Sequence, residues 1–169
     1  MPETKTVQEK KQQSQQVTID RVGEILLSAL ADGLQEVEAL GVFGSLAGGS
    51  DFSDHSDIDV SVVVREKDRA GHTDLRWWQL IKQALEPFER DVTVLVYTVA
   101  GLRAVSNRYV LRLAAEAVLI YDRADITGVF QEIFQAAQRA GLVQERVGGS
   151  LVWTLRPELA GKPLEISLT

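Results

Sequence analysis

The sequence predicts a mixed α/β chain of the α+β kind, a small mixed sheet flanked by helices. Three observations predict it. Residues 38–43, 57–64 and 90–97 are short, mostly apolar runs of strand length, the last two rich in β-branched residues. Residues 18–32, ahead of the first run, and 73–86, between the second and third, carry apolar positions at helical spacing. Glycine and proline punctuate the boundaries, at Gly33, Gly44, Pro87 and Gly141.

Length and composition set the frame. The chain has 169 residues, 45% of them hydrophobic, which suits one compact domain with a small appendage. It contains no cysteine, so a disulfide framework and a thiolate metal site are both excluded. No run approaches the ~18 apolar residues of a membrane span, and the N-terminus lacks the apolar core of a signal peptide. A cytoplasmic protein with no membrane partner is expected. Net charge is −6 and there is no block of Lys and Arg. That argues against a template-dependent polymerase and against long nucleic-acid substrates, but a single small anion needs only a local pocket.

Taken in order, residues 1–16 are polar, rich in Gln and Lys, and read as a disordered or frayed tail. Thr18 is placed to cap a helix whose stripe is Ile19, Val22, Leu26, Ala29 and Leu30, with Gly33 to end it. The strand at 38–43 follows and stops at Gly44. Thr73 can cap the next helix, with Leu75, Trp78, Ile81 or Lys82, and Leu85 on its inner side and Pro87 beyond its end. Trp77 and Trp78 must face different ways. After the strand at 90–97, one helical stretch carries Leu102, Val105, Tyr109, Val110 and Leu113 and ends near Ala117, followed by a short strand at 118–121. Ile126, Val129, Phe130, Ile133, Phe134 and Ala137 form an amphipathic helix stopped by Gly141. Gly148-Gly149 then turns a hairpin that holds Trp153, and a last short strand is expected at 164–168. The hairpin, with Trp153, is expected to form a partner or self-association surface. The domain plan is a tail at 1–16, a core at 17–122, and a helix-plus-hairpin extension packed on it at 123–169.

The stretch that carries chemistry is GVFGSLAGGSDFSDHSDIDVSVVV, residues 41–64. Gly44 and Ser45 begin a small-residue turn whose backbone N–H groups can face an anion. About a dozen residues later Asp57 and Asp59 open the next strand. Alternation sets Asp57, Asp59 and Ser61 on one face and Ile58, Val60 and Val62 on the other. The two carboxylates stand side by side, roughly 6–7 Å apart at Cα, and both can reach one hard cation. His55, in the acidic loop between, reads as a solvated loop residue. On the third strand Asp91, Thr93 and Leu95 share a face. If that strand pairs in register beside Asp57 and Asp59, Asp91 joins them. Glu89, ahead of the strand, is the rival.

An apolar strand, Gly44-Ser45, and then Asp57-Ile58-Asp59-Val60 resembles the nucleotidyltransferase signature of the DNA polymerase beta superfamily. It is most similar to the small stand-alone members, the minimal nucleotidyltransferases that include antitoxins. The resemblance covers about residues 18–122. It implies the nucleotidyltransferase fold and a Mg²⁺-dependent enzyme, with Mn²⁺ the alternative ion, that moves AMP from ATP, or another nucleoside monophosphate, onto a hydroxyl. Asp57, Asp59 and Asp91 would be the catalytic and metal-holding residues, and Gly44 and Ser45 the nucleotide-binding ones. The implied partners are ATP or another NTP and a protein such as a HEPN-type toxin; a second copy of the chain is the further partner that the hairpin surface suggests. An aminoglycoside-like small acceptor and a weakened module acting by contact are the alternatives. One departure stands out: the family often reads Gly-Ser-Arg-x-Arg-Gly here, whereas this chain has Leu46 and Gly48 at the arginine positions. Arg65, Lys67, Arg103 and Arg108 are the cations left to substitute.

Overall fold

The computed structural model describes residues 16–48 and 51–168; residues 1–15 of the expected tail, and Gly49 of the glycine loop, lie outside them. Thr18 caps the first helix, α1 (Ile19–Ala29), by accepting the Arg21 N–H at 3.1 Å. A cap of this kind is worth about 1 kcal/mol. The chain continues as a 3₁₀ turn, Ala31–Glu36, so Gly33 lies within that turn and the α-helix stops short of it. Val22 and Leu26 of α1, and Leu30 just after its end, are buried.

Strand β1 (Val37–Phe43) runs into a one-turn helix, α2 (Gly44–Gly48), and the loop beyond leads to β2 (Ile58–Val64). Helix α3 (His72–Ala84) crosses back to β3 (Val92–Thr98), which lies parallel to β2. Parallel neighbours need such a crossover. Two short helices follow, α4 (Val99–Arg103) and α5 (Arg108–Glu116), then β4 (Val118–Asp122), antiparallel to β1. The sheet order is β3-β2-β1-β4. It is the small mixed sheet the sequence predicts. Helix α6 (Ile126–Arg139) and a separate hairpin, β5 (Leu142–Val147) with β6 (Ser150–Leu155), complete the chain.

Strand alternation divides the core in two. Leu40, Val42, Ile58, Val60 and Val62 pack with Val22 and Leu26 of α1 and Trp77 and Ile81 of α3. Ala39, Phe43 and Val63 face the other way, onto Leu102, Val110, Leu113, Ile126, Phe130 and Ile133. Both sheet faces are therefore covered by helices. On the second face the cover ends short of Asp59.

Several expectations are corrected. Trp77 is the core residue of the Trp pair, 1% exposed, while Trp78 is 37% exposed and Leu75 53%. Helix α3 starts after Gly71, whose φ is +85, and Thr73 sits inside it. The stretch after Tyr97 breaks into two helices at Val105, whose φ is +44. Residues 164–168 form no strand. Trp153 is turned inward: its Nε1–H donates to the Leu111 carbonyl at 3.0 Å and its ring lies 5.0 Å from that of Phe134. It pins the hairpin to α5 and α6 and is not the partner-facing residue.

Side-chain oxygens cap the later helices. The Asp68 carboxylate accepts from Thr73 N–H and O–H, both at 2.8 Å, and from His72 N–H at 3.2 Å. The Thr73 bonds above all hold Asp68 down to about 2. Because its pKa is lower folded than unfolded, the stabilisation is complete above 3.8 and disappears as pH falls through that value toward about 2. Asp68→Asn should therefore be less stable than wild type at pH 6, with the difference closing between about pH 4 and 2. Urea unfolding across that range, followed by Trp fluorescence, reads it.

Candidate active site

The site forms where β1 ends and β2 begins. In the antiparallel register Phe43 stands opposite Asp59, and the chain turns at Gly44 with φ +68. A Cβ on Gly44 would overlap the Asp59 carboxylate. Only a glycine lets the backbone pass this close and adopt this angle without strain. Gly44 and Asp59 are thus built against each other, with Ser45 next in the turn.

Asp57 is exposed and Asp59 half-buried. Burial pushes the Asp59 carboxyl above its ordinary 3.8; Arg112 and the Thr93 hydroxyl pull it back, and Asp57 and Glu116 add to the rise. A cation shared with Asp57 would relieve that cost. Level with Asp59 on β3 stands Thr93, and the first pair of the ladder is Ile58 with Val92. Asp57 and Asp91 each lie one residue ahead of that pair, and the Asp91 carbonyl accepts the Ile58 N–H at 2.9 Å. Glu89, the rival, adopts φ +52 at the end of the 3₁₀ turn Glu86–Phe88. Both Asp91 and Glu89 border a shallow hollow with Trp78 and Lys82. Among the described residues no three His, Cys, Asp or Glu side chains group as a metal set. Two carboxylates suffice for a nucleotide-bound Mg²⁺, which takes its other ligands from phosphates and water.

The loop before Asp57 is anchored from β3's side. Arg90 donates through one nitrogen to the carbonyls of Ser53 and Ser56, at 2.7 and 2.9 Å, and lies over the Phe52 ring. His55 is exposed on this loop.

On the other side of Gly44 lies a cleft of about 700 Å³. Its walls are Gly44 and Ser45, α5, and the hairpin. Helix α5 presents Arg108, Arg112 and Glu116, one stripe at i,i+4 spacing, and the hairpin adds Arg146. Glu116 Oε1 accepts the Gly44 N–H at 3.3 Å and also pairs with Arg112. Of the four cations that the sequence offers as substitutes, only Arg108 is here. Arg65 pairs with Glu38 at 2.8 Å, Lys67 with Asp74 at 2.9 Å and Arg103 with Glu132 at 2.9 Å. Sequence reasoning missed Arg112, Glu116, Arg146, Thr93 and Arg90. The Arg108/Arg112/Glu116 stripe is readable once α5 starts at Asn107; Arg146 has no local signal.

The family profile of the nucleotidyltransferase domain matches residues 24–113, just over half of the chain. The chain belongs to that family. This nucleotidyltransferase has its matched segment from α1 into α5, so α6 and the hairpin fall outside it. No curated protein matches it. Among solved structures it is similar to a toxin–antitoxin with AMP-PNP, at 15% identity and TM-score 0.45 over 64% of this chain and 79% of the other. It is also similar to a Sulfolobus solfataricus protein described as a nucleotidyltransferase, at 22% and 0.43 over 68% and 89%. A third is a tri-AMPylated Shewanella oneidensis HEPN toxin in complex with MNT antitoxin, at 13% and 0.44 over 67% and 80%.

The geometry has two measurable consequences. Gly44→Ala should cost about 1–2 kcal/mol or more from the left-handed angle alone, and displace Asp59 as well; chemical denaturation measures the first. The Asp59 carboxyl should titrate above 3.8 in the free protein. Added Mg²⁺ with a non-hydrolysable ATP analogue should lower it, because a cation favours the charged form. Carboxyl ¹³C shifts across a pH series report both.

Proposed function

We propose that this nucleotidyltransferase moves AMP from ATP, with Mg²⁺ or Mn²⁺, onto a hydroxyl of a protein partner, in the manner of antitoxins that modify a HEPN-type toxin. The observation that carries the chemistry is the Gly44 turn closed on Asp59 with Asp57 beside it. Asp57 and Asp59 would hold the ion that neutralises the phosphates and stabilises the leaving group. Gly44 brings backbone, and Ser45 a hydroxyl, to phosphate oxygens. Asp91 takes the proton from the acceptor hydroxyl. The acceptor oxygen bonds to the α-phosphorus, the bond from that phosphorus to the bridging oxygen breaks, and pyrophosphate leaves.

The chain beyond Asp122 favours a protein acceptor over a small one. Helix α6 is spent on the core through Ile126, Phe130 and Ile133, and the hairpin is pinned to α5 by Trp153. Among the described residues that leaves no further helical unit to enclose an aminoglycoside-like acceptor. Val147 and Leu151, 58% and 49% exposed on the hairpin, are apolar groups open to a protein partner or a second copy. A second reading is a weakened module acting by contact. Leu46 and Gly48, at the positions where the family often has arginines, favour that reading.

Intact mass decides between them. After incubation of the partner with this protein and Mg-ATP, the first reading expects a gain of whole AMP units on the partner, absent with Asp57→Asn. An unchanged mass in a stable complex supports the second. By mass action Mg-ATP should also raise the melting temperature, and Asp57→Asn should abolish the rise; a rise that survives the substitution places the nucleotide elsewhere.

A further inference from the structure

We propose that the cleft between the Gly44–Ser45 turn, α5 and the C-terminal hairpin seats the polyphosphate tail of the nucleotide. Arg108, Arg112 and Arg146 are its cations, and Glu116 is the anion it displaces. The inference rests on the proposed nucleotidyl transfer, and deepens it by assigning the tail to residues outside the signature turn.

Position comes first. Across the sheet, Asp91 precedes β3, Asp57 and Asp59 open β2, Gly44 ends β1, and α5 leads into β4. Displacement at phosphorus places the attacking and leaving oxygens roughly in line. With the acceptor at Asp91 and the reacting phosphate at Asp57 and Asp59, the leaving phosphates point past Gly44. The cleft is what lies there, and its volume of about 700 Å³ falls in the usual range for small-ligand sites.

Charge comes second. In a chain of net charge −6, three arginines border this cleft, against the acids Asp51 and Glu116. Leu46 and Gly48 supply no cation, and Arg65, Lys67 and Arg103 are paired elsewhere. An arginine fork suits phosphate oxygens better than a lysine does.

The third observation is that an anion already sits in place. The Gly44 N–H and the Arg112 guanidinium converge on one oxygen of Glu116. A backbone donor and a guanidinium meeting at one point will take a phosphate oxygen as readily as a carboxylate oxygen. Glu116 therefore keeps the seat filled and Arg112 aimed until the tail arrives.

The hairpin contributes the far wall. Trp153 fixes it to Leu111, and its turn reaches the loop after α2, where a Cβ on Gly149 would come within 3.2 Å of Asp51. Arg146 braces that turn by donating to the Gly149 carbonyl at 2.9 Å while bordering the cleft.

Calorimetry on the full chain tests this, with Mg-ATP and inorganic tripolyphosphate as probes. Arg112→Gln and Arg146→Gln should each weaken both probes by about tenfold or more at unchanged melting temperature. Arg146→Lys should recover part of the loss, and Glu116→Gln should tighten both probes. The proposal is overturned if Arg112→Gln and Arg146→Gln bind both probes like wild type. It is equally overturned if Glu116→Gln abolishes Mg²⁺-dependent binding, which would make Glu116 a metal ligand. A loss that Arg146→Lys does not restore assigns Arg146 to the turn and removes it from the seat. If wild type binds Mg-ATP through Asp57 and the arginine variants bind it equally well, the tail assignment alone fails. If wild type does not bind Mg-ATP, both readings fail together.

Discussion

The contact between Gly44 and Asp59 is the constraint on which the rest depends. It exists because β1 and β2 pair antiparallel with Phe43 opposite Asp59, so the residue after the strand must pass over that carboxylate. A side chain there would collide with it. The same register fixes Asp57 one step beyond the ladder, exposed, with Asp59 half-buried beneath it. A slip of one residue would turn Asp59 into the apolar layer of Ile58 and Val60 and bring those side chains to the site. The buried alternation of β2 is therefore what holds the chemistry in place: Ile58, Val60 and Val62, none of them exposed to solvent, prevent the slip.

That logic explains how much was readable from the residues alone. The strands, the turn at Gly44 and the Asp57/Asp59 face come from period-two alternation and one glycine, which are local properties. Which tryptophan of the pair is buried is not local. Trp77 reaches both α1's buried stripe and the sheet, whereas Trp78 meets only the edge, donating to the Val92 carbonyl at 3.3 Å. The relation of β3 to Asp59 was legible only to the level of strand pairing. Period two places Asp91 and Thr93 on one face, but the register that sets Thr93 level with Asp59 comes from the crossover through α3.

The hairpin shows the limit from the other direction. Its apolar residues and its glycine turn were plain in the sequence, and so was an inference that exposed aromatics serve partners. Trp153 instead finds a carbonyl on α5 and a ring on α6. A half-buried indole still seeks an acceptor for its N–H, and the Leu111 carbonyl supplies one. Long-range pairing of this kind, 42 residues apart in sequence, leaves no periodic trace.

The break between α4 and α5 is where fold and site meet most directly. A single helix from Val99 onward would be expected from the apolar spacing, yet Val105 takes φ +44. For a β-branched residue that conformation costs on the order of 1–3 kcal/mol. Asn107 offsets part of it: its Oδ1 accepts from Tyr109 and Val110 N–H, at 3.0 and 3.3 Å, and from the Tyr97 hydroxyl at 3.2 Å. A cap contributes about 1 kcal/mol, and Tyr97 ties the start of α5 to β3. From that start Val110 and Leu113 are buried against the second sheet face, and helical spacing then leaves Arg108, Arg112 and Glu116 on the flank beside Gly44. An unbroken helix would rotate that stripe by about 100° for each residue that the break absorbs. The strained residue does not line the cleft, but it sets which charges stand beside the turn.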